Sequence, residues 1–262
     1  MKFGMCGGMD RIAGTKKAGF DYIEPALNWF GAMTDEEFDR LLAELKKYDL
    51  PCESTNCFLP WDVKVTGGNV DYDRLDSFLD KAFERAYTAG VKVSVFGSGG
   101  PRSVPDGYPF DKAVREFVLF LDEHAAPRAA RYGIDVAIEP LNRKETNLIR
   151  SVREGSIIAS LCKSENVYCL ADVYHMIVEG DDWEDLKLLG GMIRHAHLSN
   201  PCPPSETGKK RIFPKDPTEF DYAGFFEALR ACGCERVSIE ADLLGDFETD
   251  AIAAGKLVDQ FR

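Results

Sequence analysis

Short apolar, β-branched runs alternate with longer stretches in which apolar residues recur every three or four positions. The short runs predict strands over Met1–Cys6, Asp21–Pro25, Pro51–Cys57, Val91–Gly97, Ile134–Glu139, Val167–Asp172, Met192–Leu198 and Arg236–Glu240. Helices are predicted between them over Thr34–Tyr48, Tyr72–Ala89, Asp111–Tyr132, Leu148–Ser164, Trp183–Leu189, Asp221–Ala231 and Phe247–Phe261. Thr34-Asp-Glu-Glu37 is a capping box ahead of the stripe Leu41, Leu42, Leu45. Glycines at 90, 133 and 233 stand where a helix ends and a strand follows, as a left-handed cap requires. Eight strand–helix units in 262 residues, about 33 residues each, fit a single-domain (β/α)8 barrel spanning 1–262. A doubly wound open sheet is the alternative. It often carries a phosphate loop after the first strand, but that turn reads Gly4-Met-Cys-Gly7-Gly8-Met and no Walker motif occurs.

Four successive late strands end in Glu139, Asp172, His197 and Glu240. In a barrel the C-terminal strand ends face the active site, so one side chain from each of four neighbouring strands can converge. Strand parity tests this, since side chains alternate between the interior and the helix layer. Aiming these four inward also turns Ala137, Leu170, His195 and Ser238 inward. Val136, Ile138, Cys169, Ala171, Ala196, Leu198, Val237 and Ile239 then face the helices. The opposite register would push carboxylates into the apolar layer without partners. Three carboxylates in one pocket repel each other unless a cation is present, and three carboxylates with one imidazole suit Mn2+, Co2+ or Mg2+. His175, three residues after Asp172, is expected over the pocket mouth; His195 is read as either core or a support for His197, and His124 as structural.

Composition narrows the function. Lys+Arg 32 against Asp+Glu 44 gives a net charge of −12, unfavourable for binding a phosphate backbone. No apolar run approaches a membrane span, and the N-terminus lacks a signal-peptide core, so a soluble, cytoplasmic protein is expected. The eight cysteines include no C-x-x-C, and Cys232-Gly-Cys234 is too tight for a zinc site; reduced, mostly buried thiols are expected.

Several motifs, in order, resemble the xylose isomerase-like TIM-barrel superfamily, above all the ketose 3-epimerases and hydroxypyruvate isomerase relatives. They are Phe96-Gly-Ser-Gly-Gly-Pro-Arg102, Glu139-Pro-Leu-Asn-Arg143 with Glu145-Thr-Asn147, Asp172-Val-Tyr-His175-Met176, His195-Ala-His197 and Ser238-Ile-Glu240. The resemblance implies one divalent metal, Mn2+ first with Co2+, Mg2+ or Zn2+ as alternatives, held by Glu139, Asp172, His197 and Glu240. Glu139 and Glu240 would double as the acid/base pair, and Glu145 and His175 would contact hydroxyls of a small sugar or sugar phosphate. One glutamate would take a proton beside the carbonyl and the other return it on the opposite face, through a metal-stabilised enediolate. Returning it on the same side would instead give aldose–ketose isomerisation. The family also raises a dimer or tetramer as an expectation.

Two departures stand out. Relatives carry an arginine six residues after the strand-seven histidine, where this chain has Pro203 in a longer loop, Ser199–Asp216. Lys209, Lys210 or Arg211 is expected to fold back over the pocket instead, with Arg211 the substrate-binding candidate; Arg102 is expected at the pocket mouth. Cys6 stands where many relatives have an aromatic residue, and Trp29 and Trp61 offer alternative stacking surfaces. Competing readings are an inosose-dehydratase-like lyase, a non-catalytic sugar-binding barrel, and an endonuclease-IV-type nuclease. The last is disfavoured by four histidines and the acidic charge.

Overall fold

The structure, a computed structural model, describes residues 1–201, 211–243 and 245–262. Eight parallel strands run in chain order: β1 (Lys2–Cys6), β2 (Tyr22–Glu24), β3 (Ser54–Thr55), β4 (Val93–Phe96), β5 (Asp135–Ile138), β6 (Val167–Asp172), β7 (Ile193–Leu198) and β8 (Arg236–Ile239). They hydrogen-bond in the order β2-β1-β8-β7-β6-β5-β4-β3. Isolated bridges Ile23↔Cys52 and Ala26↔Asn56 join the two ends and close the barrel. The principal helices alternate with the strands: α1 (Ile12–Lys17), α2 (Asp35–Tyr48), α3 (Tyr72–Ala89), α4 (Phe110–Phe120), α5 (Val152–Leu161), α6 (Trp183–Leu189), α7 (Tyr222–Ala231) and α8 (Phe247–Val258). The fold is a TIM barrel, as the repeat arithmetic predicts. No helix among the described residues is long and apolar enough to cross a membrane.

Local chemistry explains where elements start and stop. Thr34 and Glu37 form the reciprocal capping box at α2, and Gly90 closes α3 in a left-handed conformation. α5 begins at Val152 rather than Leu148, because Ser151 caps it and Ile149 has φ +66°, which ends any helix there. The helix predicted over Asp111–Tyr132 is interrupted by a π-turn at Leu121–Ala125, just before Pro127, which has no N–H to donate. The third strand is two residues instead of seven. Pro51 has no ladder donor, Cys57 has φ +43°, and pairing toward β2 is reduced to single bridges. Short helices at Leu27–Ala32, Gly99–Arg102 and Val173–Glu179, each starting within three residues of a strand end, were not foreseen; nor was α1.

The barrel interior is divided. On the β4–β6 side Val93, Val95, Ala137 and Leu170 form a small apolar plug. On the other side Tyr22, Glu24, Ser54, His195 and Ser238 are all buried and polar. The outward residues of the parity argument, from Val136 to Ile239, pack under the helices as expected. A register shift near Cys169/Leu170 places one extra β7 residue opposite β6. Beyond it Leu170 pairs with His195 and Asp172 with His197, so both pairs face the interior at matching depth.

Candidate metal centre at the strand ends

Glu139 follows β5, and its backbone N–H donates to the Phe96 carbonyl at 3.2 Å. Asp172 ends β6 and caps the helix Val173–Glu179, its Oδ1 accepting from the His175 N–H at 3.0 Å. Glu240 follows β8, its N–H bound to the Leu198 carbonyl at 3.1 Å. One donor atom from each of Glu139, Asp172, His197 and Glu240 lies within 4.8 Å of the others. His197 Nδ1 stands 3.1 Å from Glu139 Oε1, 3.1 Å from Glu240 Oε2 and 3.7 Å from Asp172 Oδ2. The four predicted strand-end residues therefore meet at one point.

Electrostatics at that point call for positive charge. Burial pushes the Glu139 carboxyl up, and Glu240 adds to the shift. Burial likewise raises Asp172, against the opposing pull of Arg211. Burial alone would raise Glu240 too, but Arg211 and His197 outweigh it and hold its carboxyl well below the usual range. His197 is pushed well above its ordinary value: burial works against the charge, and the surrounding carboxylates, Glu240 first, overcome it. The donor set fits a hard or borderline divalent cation, with three carboxylate oxygens and an imidazole nitrogen.

Arg211 enters the site. Its guanidinium pairs with Glu240 and with Asp172 Oδ2 at 3.0 Å, stacks 4.8 Å over the Tyr174 ring, and brings Nη2 within 3.0 Å of His175 Nε2. The long loop thus delivers an arginine although position 203 is proline. Lys209 and Lys210 lie outside the described residues. His175 is buried, with Nδ1 accepting from the Asn142 backbone N–H at 3.0 Å; burial lowers its pKa to about 4. Asn142 Nδ2 also donates to Glu145 Oε1 at 3.1 Å, tying the β5 loop to the mouth. A cavity of about 490 Å3 opens above, lined in part by Cys6, Trp29, Cys57, Glu145, Arg211 and Glu240.

Other expectations need correction. Arg102 is not at the pocket mouth. It is 0% exposed, donating to the Phe96 carbonyl at 2.8 Å and the Glu139 carbonyl at 2.6 Å, and burial lowers its pKa to about 10. The turn Gly99–Arg102 folds its side chain behind β4 and β5, where two strand-end carbonyls need donors. Trp61 is 85% exposed and does not line the cavity, whereas Trp29 does. His124 is structural as read, bonded to Asp76 at 2.7 Å and stacked on Tyr72. The seven described cysteines are free, and Cys57 is exposed. Glu24 was missed altogether. It ends β2, fully buried, and accepts from both His195 and His197. Its signal was an acidic residue in inward register with Tyr22 at the tip of an early strand.

Comparison with known proteins identifies the fold family. An L-ribulose 3-epimerase of Methylomonas sp. (strain DH-1) is 26% identical over 235 residues, covering 86% of this chain and 74% of that protein. A D-psicose 3-epimerase of Agrobacterium fabrum is 26% identical over 191 residues, 69% of this chain and 63% of the relative. The solved structure of a D-allulose 3-epimerase from Methylomonas sp. in complex with D-allulose superposes with a TM-score of 0.78 at 21% identity, covering 100% of this chain and 97% of that one. The family profile described as a xylose isomerase-like TIM barrel matches residues 12–252, and the chain belongs to that family.

Proposed function

We propose that the protein is a divalent-metal-dependent sugar epimerase or isomerase acting on a small ketose or sugar phosphate. The observation that carries this reading is the convergence of Glu139, Asp172, His197 and Glu240, with two glutamates from β5 and β8 on either side of His197 Nδ1. Glu139, Asp172, His197 and Glu240 would hold the ion. A bound divalent cation would polarise the substrate carbonyl and stabilise the negative charge that builds when a neighbouring proton leaves.

The chain's own groups supply the rest. Glu240, kept ionised by Arg211 and His197, is suited to accept a proton from the carbon beside the carbonyl. Glu139, whose carboxyl is raised by burial, is suited to return one from the facing wall, inverting that carbon. His175, held neutral by burial and fixed by Asn142, and Glu145 at the cavity wall are placed to bind substrate hydroxyls. Arg211 orients the substrate's oxygen-rich end beside Asp172 and Glu240. The names of the two relatives, an L-ribulose and a D-psicose 3-epimerase, support C3 epimerisation as the first reaction to test.

The test is deuterium incorporation. L-ribulose, D-psicose and D-tagatose are incubated in D2O with Mn2+, and label at carbon is followed by NMR and mass spectrometry. Label with conserved substrate mass chemistry, lost in Glu240→Gln, supports epimerisation or isomerisation. Loss of water from the product points to a lyase instead. Metal binding with no exchange on any polyol or ketose leaves only a binding protein.

A further inference from the structure

Beneath the strand-end cluster, Glu24 collects an unusual set of partners. Its Oε1 lies 2.9 Å from His197 Nε2; its Oε2 lies 2.8 Å from His195 Nε2, 2.6 Å from Ser54 Oγ, and in contact with Ser238 Oγ. Glu24, His195, His197, Ser54 and Ser238 are all 0% exposed.

Counting protons fixes the direction of every bond. A carboxylate accepts only, with about four lone-pair positions, and here it meets four groups able to donate. Tyr22 Oη lies 2.9 Å from Ser238 Oγ. With the Ser238 proton committed to Glu24, Tyr22 must be the donor in that contact. His195 Nε2 must likewise carry a proton, and its buried Nδ1 has no partner among the described residues, consistent with a neutral ring. The same count puts a proton on His197 Nε2. His197 Nδ1 is then the nitrogen whose lone pair can be turned toward Glu139, Asp172 and Glu240.

We propose that Glu24 is a positioning residue: by accepting from His197 Nε2 it fixes the ring's orientation and tautomer so that Nδ1 is presented to the cation. This rests on the reading that the strand-end cluster binds a divalent ion. Neither Cys6 nor the second His197 nitrogen offers a rival site, although Cys6, Glu24 and His197 donor atoms also lie within 4.8 Å of one another. The two Glu24 oxygens already accept four donors between them, His197 Nε2 on Oε1 and three on Oε2. Burial holds the Cys6 thiol protonated, and a thiol is a poor ligand. Partners that orient a ligating histidine typically contribute roughly 10–100-fold in metal affinity.

The experiment is titration of metal-free protein with Mn2+ by calorimetry, in wild type, Glu24→Gln and Tyr22→Phe, with circular dichroism to verify folding. Folded Glu24→Gln should bind at least 10-fold more weakly, while Tyr22→Phe, which removes only the far end of the network, should stay within about threefold. Equal affinity in folded Glu24→Gln and wild type overturns the proposal and leaves the metal site intact. If wild type binds no Mn2+, or binds it equally after Asp172→Asn, the metal-site reading itself fails and the proposal falls with it. Should Glu24→Gln not fold, 15N NMR of the Mg2+-loaded wild type decides: a proton on His197 Nε2 with bare Nδ1 supports it, and the reverse tautomer overturns it.

Discussion

Gly97 and Glu139 share one volume at the mouth of the barrel. A Cβ built on Gly97 would overlap Glu139 Oε2 and come within 3.0 Å of its carboxyl carbon. Gly97 follows β4 with an ordinary negative φ, so the requirement is for space, not for backbone freedom. Gly97→Ala should therefore fold almost normally and displace the Glu139 carboxylate from the cluster. The expected outcome is a loss of at least tenfold in Mn2+ affinity and in proton-exchange rate, with a change in stability of about 1 kcal/mol or less. A stable variant retaining full affinity and exchange would show that Glu139 is not needed where the structure puts it.

Removal of the ion gives a second test. If the cluster binds a cation only in the folded state, ligand at 100 times its Kd adds about 2.7 kcal/mol to stability. For a chain of this size that corresponds to a Tm drop of roughly 5–10 °C on addition of a chelator, restored by excess Mn2+. Asp172→Asn should abolish the chelator effect. A melting curve unmoved by chelator at every Mn2+ concentration contradicts a structural role for bound metal in this cluster.

The late-strand ligands were readable because a single rule, alternation along a strand, ties each to a hydrophobic partner set that must face the helices. Cys169 and Ala171 against Asp172, or Val237 and Ile239 against Glu240, leave one sensible register. The extra β7 residue beside Cys169 was not readable, since a bulge is a property of two strands together and no local signal marks it. Glu24 escaped because the convergence of strands 5–8 explained the site without it; its partners are more than 170 residues away for both histidines. Arg102 was misplaced for a related reason. A basic residue after a glycine-rich strand exit can face the cavity or cap strand carbonyls, and only the fold of the Gly99–Arg102 turn decides between them. Arg211 was legible as one of three basic residues in a long loop; its placement over the site follows from the short ribbon pairing Asn200–Pro201 with Arg211–Ile212, which no local signal marks.

The buried guanidinium of Arg102 predicts a stability phenotype rather than a binding one. It satisfies the carbonyls that end β4 and begin the Glu139 turn, so Arg102→Met removes both donors while keeping most of the volume. Leaving the Glu139 carbonyl unpaired, and the Phe96 carbonyl with only the Glu139 N–H, should cost about 1–3 kcal/mol, measured by urea unfolding. Arg102→Lys should recover part of this, because one ammonium reaches fewer acceptors than a planar fork. A loss confined to substrate KM with unchanged stability would return Arg102 to the pocket-mouth role the structure denies it.

At the opposite end of the barrel Glu53 joins β1 and β8, pairing with Lys2 and with Arg236 Nε at 2.8 Å. Burial raises its carboxyl, but the hydrogen bonds from Lys2 and Arg236 outweigh that and lower it in the folded state. A folded-state pKa below the unfolded value of about 4.3 means the unfolded chain binds the proton more readily. The stabilisation is therefore complete above roughly pH 5 and drains away as pH falls through the folded-state value. Wild type should exceed Glu53→Gln by about 1 kcal/mol at pH 7, with the gap shrinking steadily below about pH 4. A gap that stays constant down to pH 3, or widens there, would mean that the ion triad does not hold the strand ends together through charge.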